Sequence, residues 1–332
     1  MDLPRVLLLA TGGTIAMTPG ADGGIAPALD AHALVAAVPD LAAVASLEVI
    51  AFSNKPGASL TQQDLAQLAA LIEEGFARGC QGAVVVQGTD TIDETAFALE
   101  LLARRPLPIV VTGAMRGAAA PGADGPANLL AAVTVAAAPA AAGMGALVVL
   151  GDQVHAARHV QKAHTTLPSA FHSPGRGPLG TLCEGRLHLH ARLTPLPALR
   201  SPRPLQEAPI ALLRIGLDDD GRLLPALPDL GFRGAVIEAM GAGHVPGHLA
   251  PLLGDLAARM PVVLSTRVAA GPVLRAAYAF PGSEKDLLSR GLIHGGALGG
   301  LKARLLLRLL LATGASPEAL PAEFARRCDA LA

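Results

Sequence analysis

Four short apolar runs recur through the first half of the chain, at residues 6–10, 83–87, 109–112 and 146–150. Each holds four or five mostly aliphatic or β-branched residues and is followed at once by Gly or Thr. Helix-length amphipathic segments lie between them, notably 61–79 and 92–105. Runs that are apolar throughout, rather than at every second residue, belong to strands buried on both faces. When such strands alternate with helices, the arrangement that buries both faces is a parallel sheet sandwiched between helix layers. Residues 48–53 are a further strand candidate.

The rhythm breaks over 173–206. Polar–apolar alternation at 186–193 gives way to a Pro-dense stretch at 196–205, a composition that reads as an interdomain linker. It then resumes more briefly, with strands expected at 210–215, 234–239 and 262–265 and helices at 246–259 and 301–313. The expected organisation is a catalytic α/β domain over 1–190, a linker over 191–208 and a smaller α/β domain over 209–332.

Several function classes fall to composition. Lys and Arg total 26 against 27 for Asp and Glu, a net charge of −1, so no electrostatic footprint for nucleic acid or an anionic membrane exists. Aromatics are 2% of residues and Trp is absent, which removes base-stacking platforms. Residues 129–150 carry no charge and are long enough to cross a bilayer, but Pro139, Gly143 and Gly145 interrupt them. A helix ending near Ala137, a turn and a strand at 146–150 fit better. The N-terminal apolar run, 6–10, is too short for a signal-peptide core, so a first strand and a cytoplasmic chain are expected. Cys80, Cys183 and Cys328 have no CxxC spacing and read as small buried hydrophobes. Ten histidines include His155, His159, His164, His172, His188 and His190, yet no HExxH occurs and His188 and His190 lack a third ligand nearby. Neither a metal nor a cofactor is expected.

Ligands of parallel sheets bind where loops converge at the carboxyl ends of the strands. The loop after the first strand reads Thr-Gly-Gly-Thr-Ile-Ala at 11–16, with glycines that let the backbone turn sharply and Thr14 projecting beyond them. A dinucleotide loop would need GxGxxG, which Gly12 and Gly13 do not supply. The loop after the second run, Gln-Gly-Thr-Asp-Thr at 87–91, repeats the theme and adds Asp90 beside Thr89. Asp90 or Thr91 can also cap the next helix, with Glu94 completing a capping box. Threonine hydroxyls are weak nucleophiles and need a base. Lys162, by itself an ordinary surface charge, is the candidate once two threonine loops are in play, because removal from water favours the neutral amine. Asp90 would then orient it and bind a substrate ammonium.

Together with Thr-Gly-Ala-Met-Arg at 112–116, Ala-Asp-Gly-Pro-Ala-Asn-Leu at 123–129, Phe-His-Ser-Pro at 171–174 and Gly-Pro-Leu-Gly at 177–180, these motifs resemble the bacterial-type L-asparaginase family over nearly the whole chain. The resemblance implies a flavodoxin-like doubly wound sheet in the larger domain and hydrolysis of asparagine, or glutamine or another small amide, without a cofactor. It implies Thr14 as nucleophile, Thr89, Asp90 and Lys162 as the proton-handling group, and Gly88 with Gly57, Ala58 and Ser59 around the substrate α-carboxylate. Ala114 would border the amide. The family forms homodimers and homotetramers in which a carboxylate of a neighbouring copy closes the site, which puts Glu284, with His244 close by, in that role. This chain departs from the pattern in three places. The Gly- and Pro-rich loop 17–27, expected to act as a lid, has no tyrosine; Gly57 and Ala58 stand where Ser or Gln is usual; His244 stands where Asn is common. A catalytically weakened binding protein on the same fold is the alternative these departures raise.

Overall fold

The computed structural model describes residues 2–13, 17–19, 25–27, 31–199 and 207–328. The chain divides into two compact units, 1–198 and 199–332.

The first unit opens with β1 (Arg5–Ala10), followed by β2 (Met17–Pro19) and β3 (Ile25–Pro27), which pair antiparallel with each other. Then come α1 (Ala31–Ala36), α2 (Leu41–Val44), β4 (Ser46–Ala51), α3 (Gln62–Ala77), β5 (Gly82–Val86), α4 (Ile92–Leu102), β6 (Ile109–Thr112), α5 (Gly125–Ala137) and β7 (Ala146–Leu150). Strands β4, β1, β5, β6 and β7 lie side by side and parallel. The chain winds outward from β1 to β4, then returns to β1's other flank and continues through β5, β6 and β7. That reversal makes β1 and β5 the topological switch point, where ligands of such sheets bind.

Local chemistry explains the elements. Helix α3 starts in a capping box, in which the Thr61 side chain accepts the Asp64 N–H while Asp64 accepts the Thr61 N–H. Its buried Leu65, Leu68, Ile72 and Phe76 recur at helical spacing, each contributing roughly 1.5–3 kcal/mol through burial. The helix closes on Gly79, whose φ of +96° suits only glycine. Val6, Leu8 and Ala10 of β1 enter a core shared with α1 and α5, whereas Leu7 points the other way, against Gly75 of α3. The uncharged stretch 129–150 resolves as the end of α5, a single turn of 3₁₀ helix at Pro139–Ala141 and strand β7. No helix among the described residues is long and apolar enough to cross a membrane.

Beyond β7 the sheet turns antiparallel. Strand β8 (Gln153–Ala156) pairs back on β7, and the small hairpin β9 (Gln161–Lys162) and β10 (Phe171–His172) follows. Then β11 (Gly180–Cys183) and β12 (Arg186–Leu189) finish the eight-stranded sheet. The break in rhythm over 173–206 thus starts inside the first unit, whose edge hairpin ends at Leu189, ahead of the linker expected at 191–208. Edge strands need only one apolar face, so their short alternation is easily taken for loop. One cysteine also departs from expectation: Cys80 and Cys328 are buried, but Cys183, on the edge hairpin, is exposed, and all three are free thiols.

The second unit carries a four-stranded parallel sheet in sequence order: β13 (Ile210–Arg214), β14 (Gly234–Ala239), β15 (Val262–Thr266) and β16 (Ile293–His294). Four helices accompany it: α6 (Leu249–Ala257), α7 (Glu284–Ser289), α8 (Gly300–Ala312) and α9 (Leu320–Cys328). Its core is built from Ile237, Leu249, Leu253, Leu264 and Leu287 among others.

Candidate active site

The loops leaving β1, β4 and β5 meet backbone to backbone at the switch point. A β-carbon placed on Gly13 would stand 2.1 Å from the Gly88 nitrogen, and one on Gly57 would stand 2.6 Å from the Gly88 carbonyl oxygen. Real contacts do not fall below 3.0 Å, so only glycine permits this approach. Gly13 also holds a φ of +99°. The turn is further tied by hydrogen bonds from Thr11 N to Val86 O at 2.9 Å and from Lys55 N to Thr11 O at 2.9 Å. Three glycines from three loops thus form one cradle, with Gly57 opening a single 3₁₀ turn, Gly57–Ser59, whose Ala58 and Ser59 are exposed.

Thr89 and Asp90 follow Gly88 in the turn Thr89–Thr91 that precedes α4. Lys162 arrives from β9, 73 positions away, and its ammonium donates to Thr89 Oγ1 at 2.9 Å and to Asp90 Oδ1 at 2.8 Å. The three differ in exposure: Thr89 is 6% exposed, the Lys162 side chain 17% and the Asp90 side chain 65%. A hydroxyl and an amine are therefore held out of bulk water while the carboxylate facing them remains open to a ligand.

The surrounding hydrogen bonds fix this turn. Thr91 does not cap α4 with its side chain; its hydroxyl donates to Gly57 O at 2.9 Å and accepts from Gln87 Nε2 at 3.2 Å. The expected capping box at Thr91 and Glu94 is thus corrected: tying the 57–59 turn to the 89–91 turn has displaced it. Gln87, fully buried, also donates to Gly88 O at 3.2 Å. On the next strand, a β-carbon on Gly113 would lie 3.3 Å from Thr89 Cγ2, which sets Ala114, 1% exposed, beside the same turn. Asn128 spans the ends of β6 and β7, donating to Gly113 O and accepting from Gly151 N, both at 2.9 Å. Asp124 holds the loop beyond Ala114 by accepting from Met115 N and Arg116 N. Lys55 pairs with Asp64 at 2.8 Å. Burial alone would push the Asp64 carboxyl up, but hydrogen bonds from Lys55 and Thr61 outweigh it and hold it below the usual range.

Gly57, Ala58, Ser59, Gly88, Thr89, Asp90, Ala114 and Lys162 therefore belong to one neighbourhood of the first unit. Thr14 lies outside the described residues, as do 20–24 of the expected lid. His244 and Glu284 belong to the second unit. There the Glu284 carboxylate is fully buried, its Oε1 accepting from Ala277 N and Tyr278 N at 2.8 Å each, while Oε2 lies 3.3 Å from His244 Nε2. Burial works to raise its pKa; the backbone N–H groups of Tyr278, Glu284 itself and Ala277 outweigh that and lower it, with His244 adding a smaller pull. The partly exposed His244 ring is packed edge-on by Tyr278 at 4.8 Å and Phe280 at 5.1 Å.

Gln87, Asp124 and Asn128 lie inside motifs of the sequence, but their part in holding the site's loops together is visible only in the structure. The available signal was a polar residue ending an otherwise apolar strand, for Gln87, and Asn and Asp four apart in a helix start, for the other two. Among the described residues no group of three or more His, Cys, Asp or Glu is placed to hold a metal ion. His155 is buried between Ser173 Oγ at 2.9 Å and Gln153 Oε1 at 3.1 Å.

Residues 5–195 match the model of the asparaginase N-terminal domain, and residues 209–324 that of the glutaminase/asparaginase C-terminal domain. A probable L-asparaginase of Deinococcus radiodurans is 41% identical over 322 residues, covering 96% of each chain. A probable periplasmic L-asparaginase of Haemophilus influenzae is 32% identical, over 97% of this chain and 93% of its own. The crystal structure of a probable cytoplasmic L-asparaginase from Campylobacter jejuni superposes with a TM-score of 0.85 at 30% identity, covering 97% of this chain and 99% of that one.

Proposed function

The chain belongs to the asparaginase family, and on that premise we propose that it hydrolyses the side-chain amide of L-asparagine through an acyl-threonine intermediate. The observation that carries the reading is the contact of Lys162 Nζ with Thr89 Oγ1 at 2.9 Å, in a site where the amine is largely shielded from water. An amine in hydrogen-bond reach of a hydroxyl is the geometry a proton relay requires.

In this mechanism the Thr14 hydroxyl oxygen attacks the amide carbon. Its proton passes by way of Thr89 and Lys162 to the amide nitrogen, the C–N bond breaks, and ammonia departs. Water then attacks the resulting ester, and its proton returns by the same pair to the Thr14 oxygen as aspartate leaves. Asp90, the exposed member, receives the substrate α-ammonium, while Gly88 and the 57–59 turn supply donors to the α-carboxylate and Ala114 borders the amide. Neither a metal nor a cofactor enters any step. A homodimer or homotetramer is part of the proposal, with the second unit of a neighbouring copy completing the site through His244 and the Glu284 that holds it. A cytoplasmic location is proposed on the likeness to the Campylobacter protein.

The test is ammonia release from asparagine and from glutamine by wild type, Thr14→Ala, Thr89→Val and Lys162→Met. Loss of a positioned acid–base group costs about 10²–10⁴-fold in turnover, and each variant is expected to fall at least that far, with asparagine preferred by wild type. Substantial activity in Thr14→Ala refutes the nucleophile assignment. Substantial activity in Lys162→Met refutes the relay.

A further inference from the structure

Lys162 needs an anchor that its own strand does not provide. Strand β9 is two residues long and pairs with the equally short β10; the buried Val160 and Phe171 hold this ribbon down by apolar contact, which is non-directional and does not fix its register. Four residues earlier the chain is fixed differently. Arg158 turns its side chain inward, 1% exposed, to form an ion pair with Glu100, also 1% exposed. The Arg158 guanidinium donates in addition to Thr194 O at 2.8 Å. The Glu100 carboxylate is itself confined, since a β-carbon on Gly145 would lie 2.6 Å from its Oε1.

Glu100 sits on α4, the helix that begins at Ile92 directly after the Thr89–Thr91 turn. Glu100 lies eight positions along the helix from Ile92, about 12 Å of rigid rise. The same two segments, α4 with its preceding turn and residues 156–162, are therefore joined twice. One junction is Lys162 to Thr89, at the mouth of the site; the other is Arg158 to Glu100, buried beneath it. Two attachments along stiff elements remove the freedom to slide or tilt that one would leave.

We propose that Arg158 and Glu100 are positioning residues for Lys162, setting where its amine stands against Thr89. The proposal rests on the reading of Lys162 as the proton relay. A buried ion pair is weak ground for overall stability, because an apolar pair of similar volume often does as well. Directional bonds between two otherwise separate segments do what an apolar pair does not: they set register.

Arg158→Met alone strands a buried carboxylate and is expected to impair folding, so the informative protein is the double variant Glu100→Leu/Arg158→Met. It is expected to fold, with a melting temperature close to wild type. A misplacement near 1 Å costs about 10²-fold in rate, so kcat should fall by about 10–100-fold while KM stays within about twofold. The chain has four lysines, at 55, 162, 285 and 302, so ¹³C-methylated lysine NMR reads Lys162 directly, and its signal alone should shift in the double variant. A folded double variant with wild-type kcat, or an unmoved Lys162 signal, overturns the proposal. Lys162→Met, assayed in parallel, separates the two layers. If it keeps turnover, the relay reading fails, while the NMR signal still reports whether the pair places the amine.

Discussion

Gly13→Ala tests the closeness of the β1 and β5 loops on which the site depends. The new methyl would begin 2.1 Å from Gly88 N and 2.3 Å from Gly88 Cα, and it must reach at least 3.0 Å, so one loop has to retreat by about 0.9 Å. Both neighbours are backbone, so no rotamer change relieves the overlap. Two costs combine. The positive φ of +99° penalises any side chain by about 1–2 kcal/mol, and overpacking adds about 1–3 kcal/mol. Gly79→Ala separates them, because Gly79 has nearly the same φ, +96°, yet its β-carbon would meet only the Arg5 guanidinium at an ordinary 3.6 Å. In a unit of this size each kcal/mol lowers the melting temperature by about 2–4 °C. Gly79→Ala should therefore lose a few degrees and keep its turnover. Gly13→Ala should lose more, and a retreat of that size beside Thr14 and Thr89 should reduce kcat about 10²-fold. Calorimetry and ammonia release on both variants give the answer. If Gly13→Ala matches Gly79→Ala in melting temperature and turnover, the cradle is not the constraint described.

Two further outcomes are expected. Burial, with a smaller push from His172, lowers the His155 pKa from 6.5 to about 4, so between those values the unfolded chain binds a proton that the folded one refuses. The stability His155 supports is complete above pH 6.5 and declines as the pH falls towards 4, by about 3 kcal/mol in all; urea unfolding at pH 7 and pH 4.5 should show a smaller loss for His155→Gln than for wild type, and equal losses would refute this. Specific activity should also fall on dilution into the range where sedimentation detects monomer, because the proposed site takes His244 and Glu284 from a second copy; a fully active monomer refutes that assembly.

The larger architecture was legible because burial on both faces leaves a strong mark. Strands β1, β5, β6 and β7 are apolar at nearly every position, and the glycines that follow β1 and β5 are two of the three that shape the cradle. Helix α3 announces itself by Thr61 and Asp64 at one end and Gly79 at the other. The edge hairpin of β11 and β12 was not legible as part of the main sheet, since four-residue strands with one wet face carry little pattern and lie next to Pro-rich chain. Thr91 shows a second kind of limit. Threonine three residues before Glu94 is a local capping signal, but the Gly57 carbonyl, 34 positions away, took the hydroxyl instead. Local propensity loses whenever tertiary structure offers the same group a better-placed acceptor.

The pairing of Arg158 with Glu100 marks the same boundary more sharply. The two are 58 positions apart, and nothing in either segment distinguishes them from surface charges, whereas Thr89, Asp90 and Lys162 could be grouped because their chemistry is mutually dependent. Chemical need is readable in sequence: a weak hydroxyl wants a base, and a tight turn wants glycine. Mechanical need is not, because any buried directional contact between the right two segments would serve. The sheet resolves part of that ambiguity. Once β1 and β5 are known to flank the reversal of winding, the loops after them must converge, and the proposed brace of Arg158 on Glu100 holds the segment that carries Lys162 to that point against α4. Without that brace the segment carrying the amine could shift against α4, and a shift of about 1 Å is enough to break a hydrogen bond of 2.9 Å.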